Sequence, residues 1–352
     1  MAMGITVTDY DREVYEKELK SFLPDAFIDV HVHLWKKEFM RKEDKEQSFG
    51  RGCVSWPSMV AEDCTYEDCM QSFAQFFPGK KVLPVLTGKP NSILPLSNAY
   101  IKEVHDKTAL PGLYVTAWDT PPEEIEAALT TGGFCGIKPY ISHVPDYIPT
   151  KEVRIFDFLP HEHLEVVDKL GGVVLLHISR DARLRDPLNL AQLMEIERKY
   201  KNLKLIVAHI GRAYSKEDLE GTFEVLGKTE NMLFDFTANV LDLAMIECIK
   251  AVGTKRLMFG SDMPIIKMRM YRTTENGFYY NYVPRGLYGD VSGDPHMREV
   301  DYPEADRITS FMYEELLAFK RCARELKLTD AQVEDIMCNN AAKLFKMEHM
   351  IK

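Results

Sequence analysis

A chain of 352 residues could divide into two domains, but α/β barrels use this length in one, and apolar (45%) and charged (28%) fractions are those of an ordinary globule. The formal net charge of −10 argues against a basic face for nucleic acid or an anionic membrane surface, so the expected partner is a small molecule. No apolar run reaches membrane-span length, Met1 to Lys20 is polar rather than signal-like, and the seven cysteines (53, 64, 69, 135, 248, 322, 338) contain no Cys-x-x-Cys pair. These features predict a cytoplasmic chain with free thiols and no zinc ribbon.

The chain begins with a lead-in helix, Asp9 to Phe22, whose Val14, Leu19 and Phe22 form an apolar stripe and which Pro24 ends. A strand from Phe27 to Trp35 follows. Its His31 and His33 stand at i and i+2 and so project to one side, while Ile28, Val30, Val32 and Leu34 make an apolar row on the other. A strand apolar on its far face suits a parallel sheet covered by helices. From Lys36 to Pro78 the chain is long and irregular apart from a helix at Tyr66 to Phe77.

A regular alternation then sets in. Strands are predicted at 81–86, 113–118, 134–140, 172–177, 203–209, 232–236 and 256–262, with helical stretches such as Ile93 to Lys107 and Glu123 to Thr130 between them. Eight strands at this beat predict a single-domain (β/α)8 TIM-type barrel whose strands lie within 27–264. An open doubly wound sheet is the competitor, but no G-x-G-x-x-G follows any strand. Residues 263–306, rich in tyrosine and arginine, show neither helical nor strand period and are expected to form a lid over the barrel mouth. Two helices, Ala305 to Leu326 and Thr329 to Phe345, end the chain, the second opened by a Thr329–Gln332 capping box.

Chemistry in such a barrel sits at the C-terminal ends of the strands. Those ends carry His31, His33, Lys138, His177, His209 and Asp262, each in or just after an apolar run where an unpaired polar group would be costly. Grouped around a cation they offset one another's cost, and imidazole with carboxylate suits Zn²⁺ and similar ions. His161 and His163 open a helix, where i and i+2 diverge, and are not expected to share an ion. His105, His296 and His349 are expected to be exposed, and His143 to sit in a loop near the mouth.

The set Asp29-Val30-His31-Val32-His33, His177, His209 in Ala-His-Ile-Gly, and Gly260-Ser261-Asp262 resembles the amidohydrolase superfamily. The ending Asn339-Asn340-Ala341-Ala342-Lys343-Leu344-Phe345 resembles that of the branch containing aminocarboxymuconate semialdehyde decarboxylase. The resemblance implies His31, His33, His177 and Asp262 as contacts of one divalent metal, zinc first and manganese, iron, cobalt or nickel as alternatives, with His209 beside the water that the metal activates. It implies hydrolysis of an amide, lactone or ester with Asp262 and His209 catalytic, or alternatively decarboxylation of an aromatic or unsaturated acid. A barrel that has lost catalysis and acts as a binding protein is the third reading.

In binuclear relatives a carboxylated lysine bridges two metals; Lys138 either does this, meets a substrate carboxylate or pairs with a neighbour. Arg180 and Arg212, three residues after His177 and His209, are candidates to grip an acidic substrate or, in the plainer reading, to form surface salt bridges. Trp35 either walls the pocket or packs under the long loop. Barrels of this kind often form homodimers.

Overall fold

The computed structural model describes residues 6–40 and 60–351, so Cys53 and the middle of the irregular stretch after the first strand lie outside the described residues. Eight parallel strands pair in sequence order: β1 Ala26–Leu34, β2 Lys81–Gly88, β3 Gly112–Thr116, β4 Phe134–Pro139, β5 Val173–Leu176, β6 Lys204–Val207, β7 Leu233–Asp235 and β8 Leu257–Met258. Residues just past β8 close the ring against β1, through Val30 N–H to Phe259 O (3.1 Å), Asp262 N–H to His31 O (2.9 Å) and His33 N–H to Met263 O (2.9 Å). The architecture is the expected (β/α)8 barrel.

Helices Tyr66–Phe76, Leu94–Thr108, Pro122–Thr130, His161–Leu170, Pro187–Lys199, Thr222–Leu226 and Asp242–Val252 follow the strands and cover the sheet. Because a parallel strand here is buried on both faces, Ile28, Val30, Val32 and Leu34 are fully buried toward the helices, while Phe27, Asp29, His31 and His33 alternate with them and face the interior. Phe27, Phe77, Phe236 and Phe259 fill the floor with ring centroids 5.1 to 5.7 Å apart, so the histidines stand on an apolar plug.

The insertion after β8 departs from expectation. It contains a three-stranded sheet, β9 Tyr271–Glu275, β10 Phe278–Pro284 and β11 Met297–Val300, with β9 and β10 antiparallel. Tyrosines at 279, 280 and 282 occupy both faces of β10 and erase the alternation that marks a half-buried strand. The legible signal was Asn276-Gly277, which turns the hairpin with φ of 50° and 76°, as a two-residue primed turn requires.

At the C-terminus Phe311–Glu325 is helical, and Thr329 and Gln332 form the expected capping box before Asp330–Glu334. Through a π turn at Asp335–Asn339 the chain continues to Asn340–Phe345, where the Asn340 side chain donates to Thr254 O (2.8 Å) and Leu257 O (2.9 Å) and so ties this helix to the base of β8. His105 and His296 are half-buried rather than exposed: one meets Leu110 O (2.7 Å), the other is stacked on Phe278 and Tyr279. His161 and His163 diverge, toward Tyr200 and Thr120 respectively.

Close approach of β4 and β5 needs Gly136, because a Cβ there would stand 2.0 Å from Val173 O. Gly136→Ala is expected to cost about 3 kcal/mol or more, read as a lower urea midpoint, against about 1 kcal/mol for Gly171→Ala, which has open space and only a left-handed φ to strain. Equal midpoints would show that the two strands are not held at this spacing.

Candidate metal centre

Strand alternation sends both histidines of β1 into the barrel mouth, and closure of the ring brings Asp262 between them. The His33 Nε2 atom lies 2.8 Å and His31 Nε2 3.7 Å from Asp262 Oδ1. Among the described residues these three form a group whose ligand atoms all lie within 4.8 Å of one another. His177, at the end of β5, falls outside that tight group; its ring packs against His209 with centroids 5.0 Å apart, and its Nδ1 is buried without a hydrogen-bond partner. His209 in turn lies 5.1 Å from the His31 ring. Four imidazoles and one carboxylate therefore share the mouth.

The surroundings orient these rings. His31 Nδ1 faces Asp235 Oδ2 (3.3 Å), His33 Nδ1 faces Gly88 O (3.0 Å), and His209 Nδ1 faces Thr237 O (2.9 Å). An Nδ1–H donated to each oxygen points Nε2 into the mouth, the tautomer that a metal-binding histidine needs; at His33, Nε2 bonds Asp262 Oδ1 (2.8 Å) through a proton that a cation would displace. Tyr140 Oη donates to the same Gly88 carbonyl (2.9 Å) and sits 3.0 Å from His33 Nδ1. Asp235 also takes the amide of His209 on Oδ1 (2.7 Å), so one carboxylate from β7 fixes two site residues. Neither Asp235 nor Tyr140 stood out among the sequence candidates. Asp235 carried the same signal as the others, a charge at the C-terminal end of an apolar strand.

His209 does not continue its strand as expected, for β6 ends at Val207. Residues 209 to 212 have φ of 59°, 47°, 60° and 58°, making a left-handed turn in which only Gly211 is free of steric cost. Each of the other three costs about 1–2 kcal/mol, and a β-branched residue such as Ile210 is rarely found there. The turn is held by the Asp235 bond and by Asn239 Nδ2, which donates to Ala213 O (2.9 Å) and His209 O (3.4 Å). Strain maintained at such a place marks a position where geometry is needed more than stability.

Burial pushes His31, His177 and His209 below the ordinary histidine range, and the Lys138 charge adds to this at His31, so these rings are neutral and can act as ligands. Burial alone would raise Asp262, but its bond to His33 and the nearby histidines outweigh that and hold its carboxyl well below the usual range. Lys138 is fully buried on β4 with no hydrogen-bond partner at Nζ, and burial lowers it to about 8 against the pull of Asp235 and Asp262. A convergent Nε2 pair with an ionised carboxylate, a further imidazole with an orphaned nitrogen, and a buried lysine are a donor set that fits a divalent cation.

Other candidates are placed less centrally. Arg180 is ion-paired with Asp186 (2.8 Å). Trp35 is buried, donating from Nε1 to Glu62 O (3.0 Å) with Lys89 Nζ 4.5 Å from its ring, and so packs against the chain that returns from the long loop. Arg212 has Nη1 3.4 Å from Arg180 O and no carboxylate partner among the described residues. His143, just past β4, is buried, and its carbonyl accepts the Trp118 amide (3.1 Å).

The amidohydrolase family model matches residues 28–280, well over half of the sequence, and the chain belongs to that family. Solved structures with the same fold include 2,6-dihydroxybenzoate decarboxylase from Rhizobium (14% identity, TM-score 0.56, covering 92% of this chain and 100% of that one). A dihydroxybenzoic acid decarboxylase from Polaromonas sp. JS666 with bound manganese is similar at 15% identity, TM-score 0.56, 92% and 98% coverage. A protein assigned as a 2-pyrone-4,6-dicarboxylic acid hydrolase from Pseudomonas putida matches at 16% identity, TM-score 0.54, 93% and 99% coverage. Curated proteins yield no match. Among the described residues no helix is long and apolar enough to cross a membrane.

Asp29, beneath the two histidines, accepts the amides of Ser261 (2.9 Å) and His31 (3.1 Å) through Oδ1 and is raised from 3.8 to about 7, chiefly by burial. A carboxyl raised in the folded state is protonated there while the unfolded chain ionises, so its contribution is full below pH ~4 and lost as pH rises toward 7. Asp29→Asn keeps the accepting oxygen and removes that loss. Its unfolding free energy relative to wild type is expected to increase between pH 4 and 7.5 in urea titrations; the opposite trend would mean that Asp29 is ionised and paired.

Proposed function

We propose that this chain is a metal-dependent hydrolase that cleaves an amide, lactone or ester of a small carboxylated molecule in the cytoplasm. In this reading His31, His33, His177 and Asp262 hold one divalent ion, zinc first. The observation that carries it is the convergence of His31, His33 and Asp262 within 4.8 Å at the mouth of an amidohydrolase barrel. A divalent ion held there supplies Lewis acidity to a substrate carbonyl and lowers the pKa of water to ~7.

The side chains divide the remaining work. Asp262, kept ionised, takes a proton from the attacking water and returns it to the leaving group. With its Nδ1–H committed to Thr237 O, neutral His209 presents Nε2 as an acceptor, which suits a water O–H better than an oxyanion. The Lys138 ammonium, with no hydrogen-bond partner, meets the negative charge that develops on the substrate oxygen; carboxylated, it would instead help hold a second ion. Arg212, without a carboxylate of its own, anchors the substrate carboxylate.

Decarboxylation of an aromatic or unsaturated acid uses the same side chains, and likeness of fold to the dihydroxybenzoate decarboxylases supports it as the alternative. Product analysis separates the two: carbon dioxide released without uptake of water decides for the lyase.

Elemental analysis of protein purified without chelator is expected to give about one divalent ion per chain, and a value near two would make Lys138 a carboxylated bridge. Asp262→Asn is expected to lower kcat by about 10²-fold or more in either reaction. Activity unaltered by that change would sink the mechanism, and a chain that cannot be loaded with metal would return the binding-protein reading.

A further inference from the structure

β7 ends at Asp235, and the chain turns almost at once. The Asn239 amide donates to Phe236 O (3.1 Å) and closes a β-turn with Thr237 and Ala238 at its centre. Ala238 has φ 49° while Thr237 keeps a negative φ, so the turn is type II, the form that favours glycine at its third position. An alanine there is strained by its Cβ. Turning over the central peptide, which joins the Thr237 carbonyl to the Ala238 amide, would give a type I turn with the same closing bond and without that strain. The local sequence therefore favours the other turn.

What holds the type II form is bonding at both ends of that single peptide. Its carbonyl accepts from His209 Nδ1 (2.9 Å), and its N–H donates to Glu315 Oε2 (2.9 Å) on the helix Phe311–Glu325. Because a trans peptide is planar, with C=O and N–H pointing opposite ways, a residue that holds one end aims the other. Were the peptide turned over, its carbonyl would face Glu315 and its N–H would face His209 Nδ1, drawing the imidazole proton to Nε2. Asp235 Oδ1 accepts the amides of His209 (2.7 Å) and Thr237 (3.2 Å), but it touches neither end of the central peptide.

Glu315 is costly where it stands. It is fully buried on a helix whose Met312, Leu316 and Phe319 are also buried, and its Oε1 meets no hydrogen-bond partner. Burial, with Asp29, Asp235 and Asp262 adding to it, pushes its carboxyl up and keeps it neutral. An apolar side chain would avoid these costs and leave only the Ala238 amide unpaired.

We propose that Glu315 is a positioning residue for His209: by taking the Ala238 amide it keeps the central peptide in the type II form, and the carbonyl at the other end fixes the His209 proton on Nδ1. Nε2 then faces the mouth as an acceptor. The assignment rests on the proposed catalytic role of His209 only for what that nitrogen does next.

Heteronuclear NMR of the histidine ring nitrogens in the full chain, metal-free and zinc-loaded, reads the tautomer directly, with the His209 signals assigned from His209→Gln. Wild type is expected to carry the proton on Nδ1. Glu315→Leu, which removes the acceptor, should shift it to Nε2 or spread it over both nitrogens. Glu315→Gln, neutral and of the same shape, should restore the Nδ1 form, and Glu314→Gln, whose carboxyl meets Thr309 instead, should leave it unchanged. Adding Ala238→Gly to Glu315→Leu removes the strain behind the flip and should return part of the Nδ1 form. Thermal melts separate a change of tautomer from loss of fold, and Glu315→Met, with a more adaptable side chain, replaces a leucine variant that does not fold. A wild-type proton on Nε2, an unchanged Nδ1 signal in the folded leucine or methionine variant, or the same shift in Glu315→Gln overturns the proposal. The expected shift in protein that loads no zinc would refute the metal-dependent reading and leave this one standing; zinc loading with an unmoved tautomer would do the reverse.

Discussion

The hydrogen bonds that close the barrel, from the Asp262 amide to the His31 carbonyl and from the His33 amide to the Met263 carbonyl, are the constraint on which the centre depends. β8 itself is only two residues long, and ring closure is left to the irregular chain after it. Asp262 adopts φ 60° at that point, an uncommon conformation for a non-glycine residue, and this turns its carboxylate inward between the two imidazoles. Gly260 makes the passage possible: a Cβ there would meet Thr237 Oγ1 at 2.2 Å and His31 Cβ at 2.9 Å. Closure of the fold and assembly of the ligand group are thus one event.

A second layer holds what closure brings together. Asp235 spans from His31 to the His209 amide, and the loop after β7 carries the Thr237 carbonyl for His209 and the Asn239 side chain for the left-handed turn. Glu315, fully buried on the C-terminal helix, accepts the amide of Ala238, itself at φ 49°. Each strained residue costs on the order of 1–3 kcal/mol and persists because several bonds over-determine it. The C-terminal helices therefore serve the site indirectly, by pinning β8 from below and the β7 loop from the side.

Electrostatically the mouth is divided. Burial makes three imidazoles neutral, while the bond to His33 and the nearby histidines hold Asp262 ionised against its own burial, so the floor favours a cation; the Arg212 guanidinium, with no carboxylate partner among the described residues, favours an anion. Lys138, on β4, is buried with no hydrogen-bond partner at Nζ, which lies 5.3 Å from the Tyr140 ring. A substrate spanning the two regions would be oriented before any bond changes, and orientation of this kind contributes substantially to rate.

The barrel was legible in the sequence because each strand is a short apolar run and the runs recur with helices between them. Strand limits differed from expectation mostly at their C-terminal ends: β6, β7 and β8 stop before His209, Phe236 and Phe259, since the chain leaves the sheet where it turns its functional groups inward. The sequence by itself determined the fold and the residues placed at the strand ends, because polar groups within recurring apolar runs can be read from the local pattern, and it carried the family through the resemblance of its histidine and aspartate motifs. Only the tertiary structure decided which of them converge, that Asp235 and Tyr140 support them, that 209–212 form a left-handed turn, and that Arg272 stacks on Tyr214 and Tyr279. Those relations are distances and angles between segments far apart in the chain, and no local period records them.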